Sequence, residues 1–115
     1  MEDDPRVRAA AVLALRTLGH EVLTADDGAA GVAVFRAERS RIVAIVLDLA
    51  MPLMNGREAL EKIRKIDATV PVVLTTAVPL GADVQRMIDL GAHLLPKPYD
   101  LASLSSALHE AIGQA

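Results

Sequence analysis

The sequence predicts an α/β protein built on a doubly wound parallel sheet. Three observations carry that prediction. Short aliphatic and β-branched runs bounded by turn residues alternate with longer stretches of helical periodicity. Two of the runs, residues 42–47 (IVAIVL) and 70–74 (VPVVL), are continuously apolar, as expected for strands covered on both faces. A chain of 115 residues that is 52% hydrophobic, with Phe35 and Tyr99 its only aromatics, suffices for one aliphatic core and leaves no room for a second domain.

The elements follow in order. Asp4 and Pro5 supply an N-cap and a proline at the first helical position, and Gly19 ends that helix after Leu18. Residues 21–24 (EVLT) read as a strand, and Asp27 then caps a helix running through Phe35 to Glu38. After the strand at 42–47, Asn55 and Gly56 open a third helix with Ala59, Leu60, Ile63 and Ile66 on one side. The strand at 70–74 precedes a helix over 82–90, which Gly91 stops, and a weaker strand at 93–95. Asp100 caps the last helix, where Leu101, Leu104, Leu108 and Ile112 fall along one side. Strands separated by single helices imply right-handed crossovers and a parallel sheet.

Composition excludes several functions. Twelve basic against fifteen acidic residues, net −3, argue against nucleic-acid binding. The absence of Cys removes disulfides and thiolate metal sites and fits a reducing, cytoplasmic setting. The apolar runs are far shorter than the roughly 20 residues of a membrane helix, so no membrane contact is expected. Met1 followed at once by Glu2, Asp3 and Asp4 is not the start of a signal peptide.

In open α/β sheets the reactive groups collect at the carboxyl ends of the strands. Those positions hold Asp48, Thr75 and Thr76, and Lys97, while Glu2, Asp3 and Asp4 stand before the first helix. Carboxylates gathered on one rim repel one another unless a cation neutralises them, and Mg2+ suits one or two carboxylates with waters and phosphate oxygens. A hydroxyl and an ammonium beside them can hold a phosphoryl group, and a carboxylate can itself attack phosphorus. The pattern therefore points to Mg2+-assisted phosphorylation of an aspartate. Set against this, a lone Asp often only caps a helix, but Asp48 is followed by a long connection. Asp4 suits a helix N-terminus through the dipole. His20, His93 and His109 lack metal-ligand spacing, and Met51 and Met54 read as core and loop filler.

These residues give the chain a family likeness. Glu2-Asp3-Asp4-Pro5, Leu47-Asp48-Leu49-Ala50-Met51-Pro52 with Asn55-Gly56, Val73-Leu74-Thr75-Thr76-Ala77 and Lys97-Pro98-Tyr99 resemble the receiver domain of two-component response regulators over essentially the whole length. The resemblance implies a flavodoxin-like sheet of order 2-1-3-4-5, with Asp48 accepting a phosphoryl group from a phosphohistidine. It further implies Mg2+ held by Asp3, by Glu2 mainly through water, by Asp48 and by the carbonyl of Ala50. Thr76, rather than Thr75, aligns with the hydroxyl that contacts the phosphoryl group, Lys97 contacts another of its oxygens, and Lys97–Pro98 matches the family's cis peptide. The implied partner is a histidine kinase or histidine phosphotransfer protein.

Three departures qualify the likeness. Family members begin with an apolar strand leading into the acidic residues, whereas only Met1 precedes Glu2, so residues 1–115 are expected to be a single receiver domain truncated at its N-terminus, without its first and central strand. Each buried amide left unpaired costs about 1–3 kcal/mol, and a homodimer or strand exchange is one way to replace the missing strand. The family's aromatic switch position falls on Leu94 or Leu95. The positions two beyond Asp48 and Thr76, Ala50 and Val78, cannot orient a water, so hydrolysis of a phosphorylated Asp48 is expected to be slow.

The reading is a phosphoacceptor signalling domain, stand-alone or taken from a hybrid histidine kinase, that as an isolated domain catalyses only its own phosphorylation and slow dephosphorylation. The first helix, apolar nearly all round from Ala9 to Leu15, reads equally as a docking surface for a histidine-bearing helix or as a well-buried element. The alternative function is a degenerate interaction module that is not phosphorylated. A haloacid-dehalogenase-like phosphatase is disfavoured because no acid stands two residues after Asp48.

Overall fold

The structure, a computed structural model, describes residues 5–20, 23, 28–48, 56–76 and 82–113. In chain order these form α1 (Pro5–Thr17), α2 (Gly28–Glu38), a 3-10 turn (Arg39–Arg41), β1 (Ile45–Asp48), α3 (Gly56–Ile66), β2 (Val72–Thr76), α4 (Ala82–Asp89), β3 (His93–Pro96) and α5 (Leu101–Gly113). The three strands pair in parallel, in the order β1-β2-β3, with Ile45 opposite Val72 and Val73 opposite His93. This is the last part of the expected 2-1-3-4-5 order. The strand expected at 21–24 lies outside the described residues except for Leu23, which has no regular structure, and Glu2, Asp3 and Asp4 lie outside them as well.

The sheet divides the core in two. Ile45, Leu47, Val72 and Leu74 face α2, α3 and α4, whose Phe35, Leu60, Ile63 and Met87 are fully buried against them. Val46, Val73 and Leu95 face α5, where Leu104, Leu108 and Ala111 are buried, and α1, which adds Ala14, Leu15 and Leu18. Side chains alternate between the two sides along each strand, as a two-faced buried sheet requires.

Two strands start later than the apolar runs do. Hydrogen bonding, not hydropathy, sets their limits: the amide of Ile45 donates to the carbonyl of Pro71 at 2.8 Å, and the ladder begins at the Ile45–Val72 pair. Residues 42–44 have no partner in β2, and Val43 is exposed. At the other end β2 takes in Thr75 and Thr76, expected to follow the strand. In α5 the buried face is Leu104, Leu108 and Ala111, so Leu101 and Ile112 flank it and are partly exposed. The well-buried reading of the first helix does not hold. Ala9, Ala10 and Leu13 are exposed, Leu13 at 69%, because α1 packs on the sheet through one side alone.

The helix ends obey the local chemistry. Gly19 has φ +90°, a left-handed conformation that glycine adopts without a Cβ penalty, and the amides of Gly19 and His20 close the C-terminus of α1 on the carbonyls of Arg16 and Leu15. The Asp100 carboxylate accepts the Ser103 amide at 2.8 Å, the N-cap predicted for α5. At the end of the sheet opposite Asp48, Arg64 donates from Nε to the Leu90 carbonyl and from Nη1 to the Val70 carbonyl, both at 2.7 Å, fastening α3 to the end of α4 and the approach to β2. Partial burial lowers the Arg64 pKa from its ordinary value, and Asp67 acts in the other direction.

Candidate functional site

The site is built from the carboxyl ends of all three strands. Asp48 is the last residue of β1, Thr75 and Thr76 are the last two of β2, and Lys97 follows β3 directly. The Lys97 amide donates to the Thr76 carbonyl at 2.8 Å, which carries the line of β3 one residue past its last ladder pair. From there the Lys97 side chain reaches across the end of β2, and its Nζ donates to Oδ2 of Asp48 at 2.5 Å. The Asp48 side chain is 4% exposed and that of Lys97 26%. The result is a charge-assisted hydrogen bond between a buried anion and a cation with one side open to solvent.

Three of the predicted residues, Asp48, Thr76 and Lys97, thus converge at one end of the sheet, and the peptide between Lys97 and Pro98 is cis as expected. Thr76 is buried at the last ladder position of β2, opposite Pro96. Glu2, Asp3 and Ala50, the other expected metal ligands, lie outside the described residues, as do Met51, Met54 and Val78. Among the described residues no group of three or more His, Cys, Asp or Glu comes together to hold a metal. What they offer at this end is the Asp48 carboxylate, a hard anionic oxygen of the kind Mg2+ takes, with no imidazole beside it. His20 and His109 are exposed and His93 is half-buried at the start of β3, away from Asp48.

Register sets apart the strand-end threonine that the family likeness does not favour. Thr75 is the partner of Asp48 in the β1–β2 ladder and of Leu95 in the β2–β3 ladder, and it is 2% exposed. Adjacent threonines at a strand end cannot be sorted by composition; only the pairing distinguishes the side chain beside Asp48 from the one beyond it.

Next to Lys97 a groove of roughly 670 Å³ runs between α1 and the segment leading into α5. Ala10, Ala11 and Ala14 line one wall, Pro98, Tyr99 and Leu101 the other, and Arg6 and Asp100 add charge. Small side chains on α1 leave this groove open, and it is continuous with the residue that holds Asp48. The hydrogen bond from the Ser103 amide holds the Asp100 pKa below the usual carboxylate value. No helix among the described residues is long and apolar enough to cross a membrane.

Residues 1–109 match the response regulator receiver domain family. The chain is 31% identical to the transcriptional regulatory protein GlrR of Escherichia coli, over all of this chain and 26% of that protein. It is 38% identical to the transcriptional regulatory protein PrrA of Mycobacterium bovis, over 90% of this chain and 44% of that protein. It therefore spans less than half the length of these curated relatives. Among solved structures, it is similar to the receiver domain of the sensor histidine kinase PA1611 from Pseudomonas aeruginosa, with a TM-score of 0.85 and 33% identity over 98% of this chain and 93% of that one. That structure has a magnesium ion coordinated in its active site cleft. A receiver domain from Clostridium thermocellum superposes with a TM-score of 0.88 at 27% identity, covering 98% and 90% of the two chains.

Proposed function

Because the chain belongs to the response regulator receiver domain family, we propose that it is a phosphoacceptor whose Asp48 takes a phosphoryl group from a phosphohistidine. The observation that carries this reading is the contact between Lys97 Nζ and Asp48 Oδ2 across the end of β2. An oxygen of the Asp48 carboxylate attacks phosphorus, the P–N bond to the imidazole breaks with its electron pair leaving on nitrogen, and a P–O bond forms to give an aspartyl phosphate. Lys97 holds the carboxylate in place and offers positive charge to the equatorial oxygens, where charge accumulates in the transition state. Thr76 supplies a hydroxyl to the same group from the end of β2. Asp48, Asp3 and the Ala50 carbonyl, with Glu2 mainly through water, would hold Mg2+, which would supply positive charge to the anionic rim and to the incoming phosphoryl group.

The isolated domain acts on itself alone, with slow dephosphorylation set by the apolar side chains of Ala50 and Val78. The phosphoryl donor is a histidine kinase or histidine phosphotransfer protein in the cytoplasm. Its histidine-bearing helix seats in the groove between α1 and residues 97–101, where the alanines permit close approach and the groove wall leads to Lys97. The test is transfer from a phosphorylated histidine phosphotransfer protein. Uptake of one hydroxylamine-labile phosphoryl group that Asp48→Asn eliminates is the expected result. Label retained by Asp48→Asn would place the acceptor elsewhere.

A further inference from the structure

The outer face of α1 carries an apolar stripe that the fold does not use. Arg6, Ala9, Ala10, Leu13, Arg16 and Thr17 are exposed at the spacing of one helix face, while Ala14, Leu15 and Leu18 pack against the core. Leu13, in the middle of that face, is 69% exposed, more than any other large apolar side chain among the described residues. Ala9 and Ala10 stand one turn before it. The Thr17 hydroxyl, one turn beyond, donates to the Leu13 carbonyl at 2.7 Å and is turned back onto the helix. Arg6 begins the stripe, and Arg16, in the last turn of the helix, ends it. A lone exposed leucine is ordinary on a protein surface, but this one stands in a row with small apolar neighbours and has a cation at each end.

Two observations bear on what covers the stripe. It is continuous with the groove beside Lys97, because Ala10 belongs to both. The residues that line the groove fall short of the roughly 20 that each side of a specific protein contact uses, so a protein seated in the groove also covers its border. Ala10, Leu13 and Arg16 follow one another along that border at steps of about 4.5 Å. Charge then selects among proteins. A second copy of the chain would set arginines against each other at both ends of the stripe: Arg6 with Arg6 and Arg16 with Arg16 if the two helices ran parallel, Arg6 with Arg16 if they ran antiparallel. An acidic partner is attracted instead.

We propose that this stripe is a docking surface for the phosphodonor protein, with Leu13 entering an apolar hollow of the donor and Arg16 facing a donor carboxylate. This rests on the phosphoacceptor reading above and adds to it the residues that select the donor. Neither side chain acts on phosphorus. The donor they fit carries its carboxylate about 4.5 Å further along α1 than the hollow that takes the leucine.

The test compares two phosphoryl sources, a phosphorylated histidine phosphotransfer protein and phosphoramidate with Mg2+, each followed by intact-mass spectrometry. Leu13→Ala lowers the second-order rate of transfer from the protein donor about tenfold, the loss of one buried leucine contact. Arg16→Glu lowers it at least tenfold at low salt, and the gap narrows as salt is raised. Arg16→Gln falls between Arg16→Glu and the unaltered chain. All three variants react with phosphoramidate at the unaltered rate and keep the thermal midpoint, because both side chains are exposed. Lys62→Glu makes the same charge change at an exposed position on α3, across the sheet from α1, and leaves transfer within a factor of about two.

Transfer to Leu13→Ala or to Arg16→Glu at the unaltered rate overturns the proposal. So does equal slowing by Lys62→Glu, which would assign the effect to net charge, and equal slowing with phosphoramidate, which would assign it to the fold. A chain that sediments as a dimer, and as a monomer once it carries Leu13→Ala, would give the stripe to a second copy and overturn the proposal too. Uptake from phosphoramidate without transfer from any protein donor defeats this inference alone. No phosphoryl group on the unaltered chain from either source defeats the phosphoacceptor reading and this inference with it.

Discussion

Lys97 Nζ lies 2.5 Å from Asp48 Oδ2, although Asp48 ends β1 and Lys97 directly follows β3, two strands with β2 between them. The contact exists because β3 ends in line with β2, with the Lys97 amide on the Thr76 carbonyl, and because a lysine is long enough to reach back over one strand. Lys97→Met keeps the length and removes the charge. It is expected to slow phosphoryl uptake about a hundredfold, the scale on which loss of one preorganised charge partner acts. Single-turnover phosphorylation measures it, and a rate within a factor of about two of the unaltered chain would remove Lys97 from the reaction.

Phe35 is the one aromatic of the core on the α2–α4 side and is 1% exposed. Phe35→Ala is expected to destabilise the fold by about 3–5 kcal/mol, by lost transfer energy and by the cavity left among Leu47, Leu60 and their neighbours. Urea unfolding followed by circular dichroism reports it as a lower midpoint at unchanged slope.

Arg64 satisfies the carbonyls of Leu90 and Val70 with one side chain. Arg64→Met preserves the aliphatic stem and abandons both carbonyls, for an expected loss of about 2 kcal/mol. Hydrogen exchange is expected to quicken first at residues 90–92, where the end of α4 turns into β3 through Gly91.

The Asp100 cap gives a pH dependence with a definite sign. Its folded-state pKa lies below the ordinary value, chiefly because the carboxylate accepts the Ser103 amide. Such a group contributes stability that is fully present above the unfolded pKa of about 3.9. That contribution disappears as the pH falls through the lower, folded value. The stability difference between the unaltered chain and Asp100→Ala is therefore expected to be constant near neutrality and to shrink below about pH 4. Thermal melts at a series of pH values measure it.

Ala10 is exposed and lines the groove beside Lys97, whereas Ala14 packs against the core. Ala10→Glu is expected to fold normally and to take phosphate from phosphoramidate at the unaltered rate, but to slow transfer from a histidine phosphotransfer protein at least tenfold, since a buried charge at an interface costs more than 1.4 kcal/mol. Equal slowing with both donors would separate the groove from docking.

Much of this was legible in the residues themselves. Alternating aliphatic runs and capped helices announced the parallel α/β fold, and the Asp100 cap and the Gly19 and Gly91 stops fell where expected. The order Asp48, Thr76, Lys97 along the chain announced which residues meet at the carboxyl end of the sheet. What a linear reading missed depends on pairing. Both strand starts moved because a ladder begins where two chains meet, at Ile45 and Val72, rather than where hydropathy rises. Thr75 was set aside in favour of Thr76, and only register shows which of the two shares a row with Asp48. The one-sided burial of α1 was hidden for a similar reason: alanines suit a buried helix and an open groove equally, and the partner surface decides between them.

The reading stands or falls on Asp48 as the phosphoacceptor, held for reaction by Lys97. Beryllofluoride with Mg2+, a stable mimic of the phosphoryl group, tests it most directly through the fluorine-19 spectrum of the bound adduct. One bound species is expected on the unaltered chain, none on Asp48→Asn, and a weakened one on Lys97→Met. A bound signal that survives Asp48→Asn would contradict it, as would an unaltered chain that binds no beryllofluoride at saturating Mg2+.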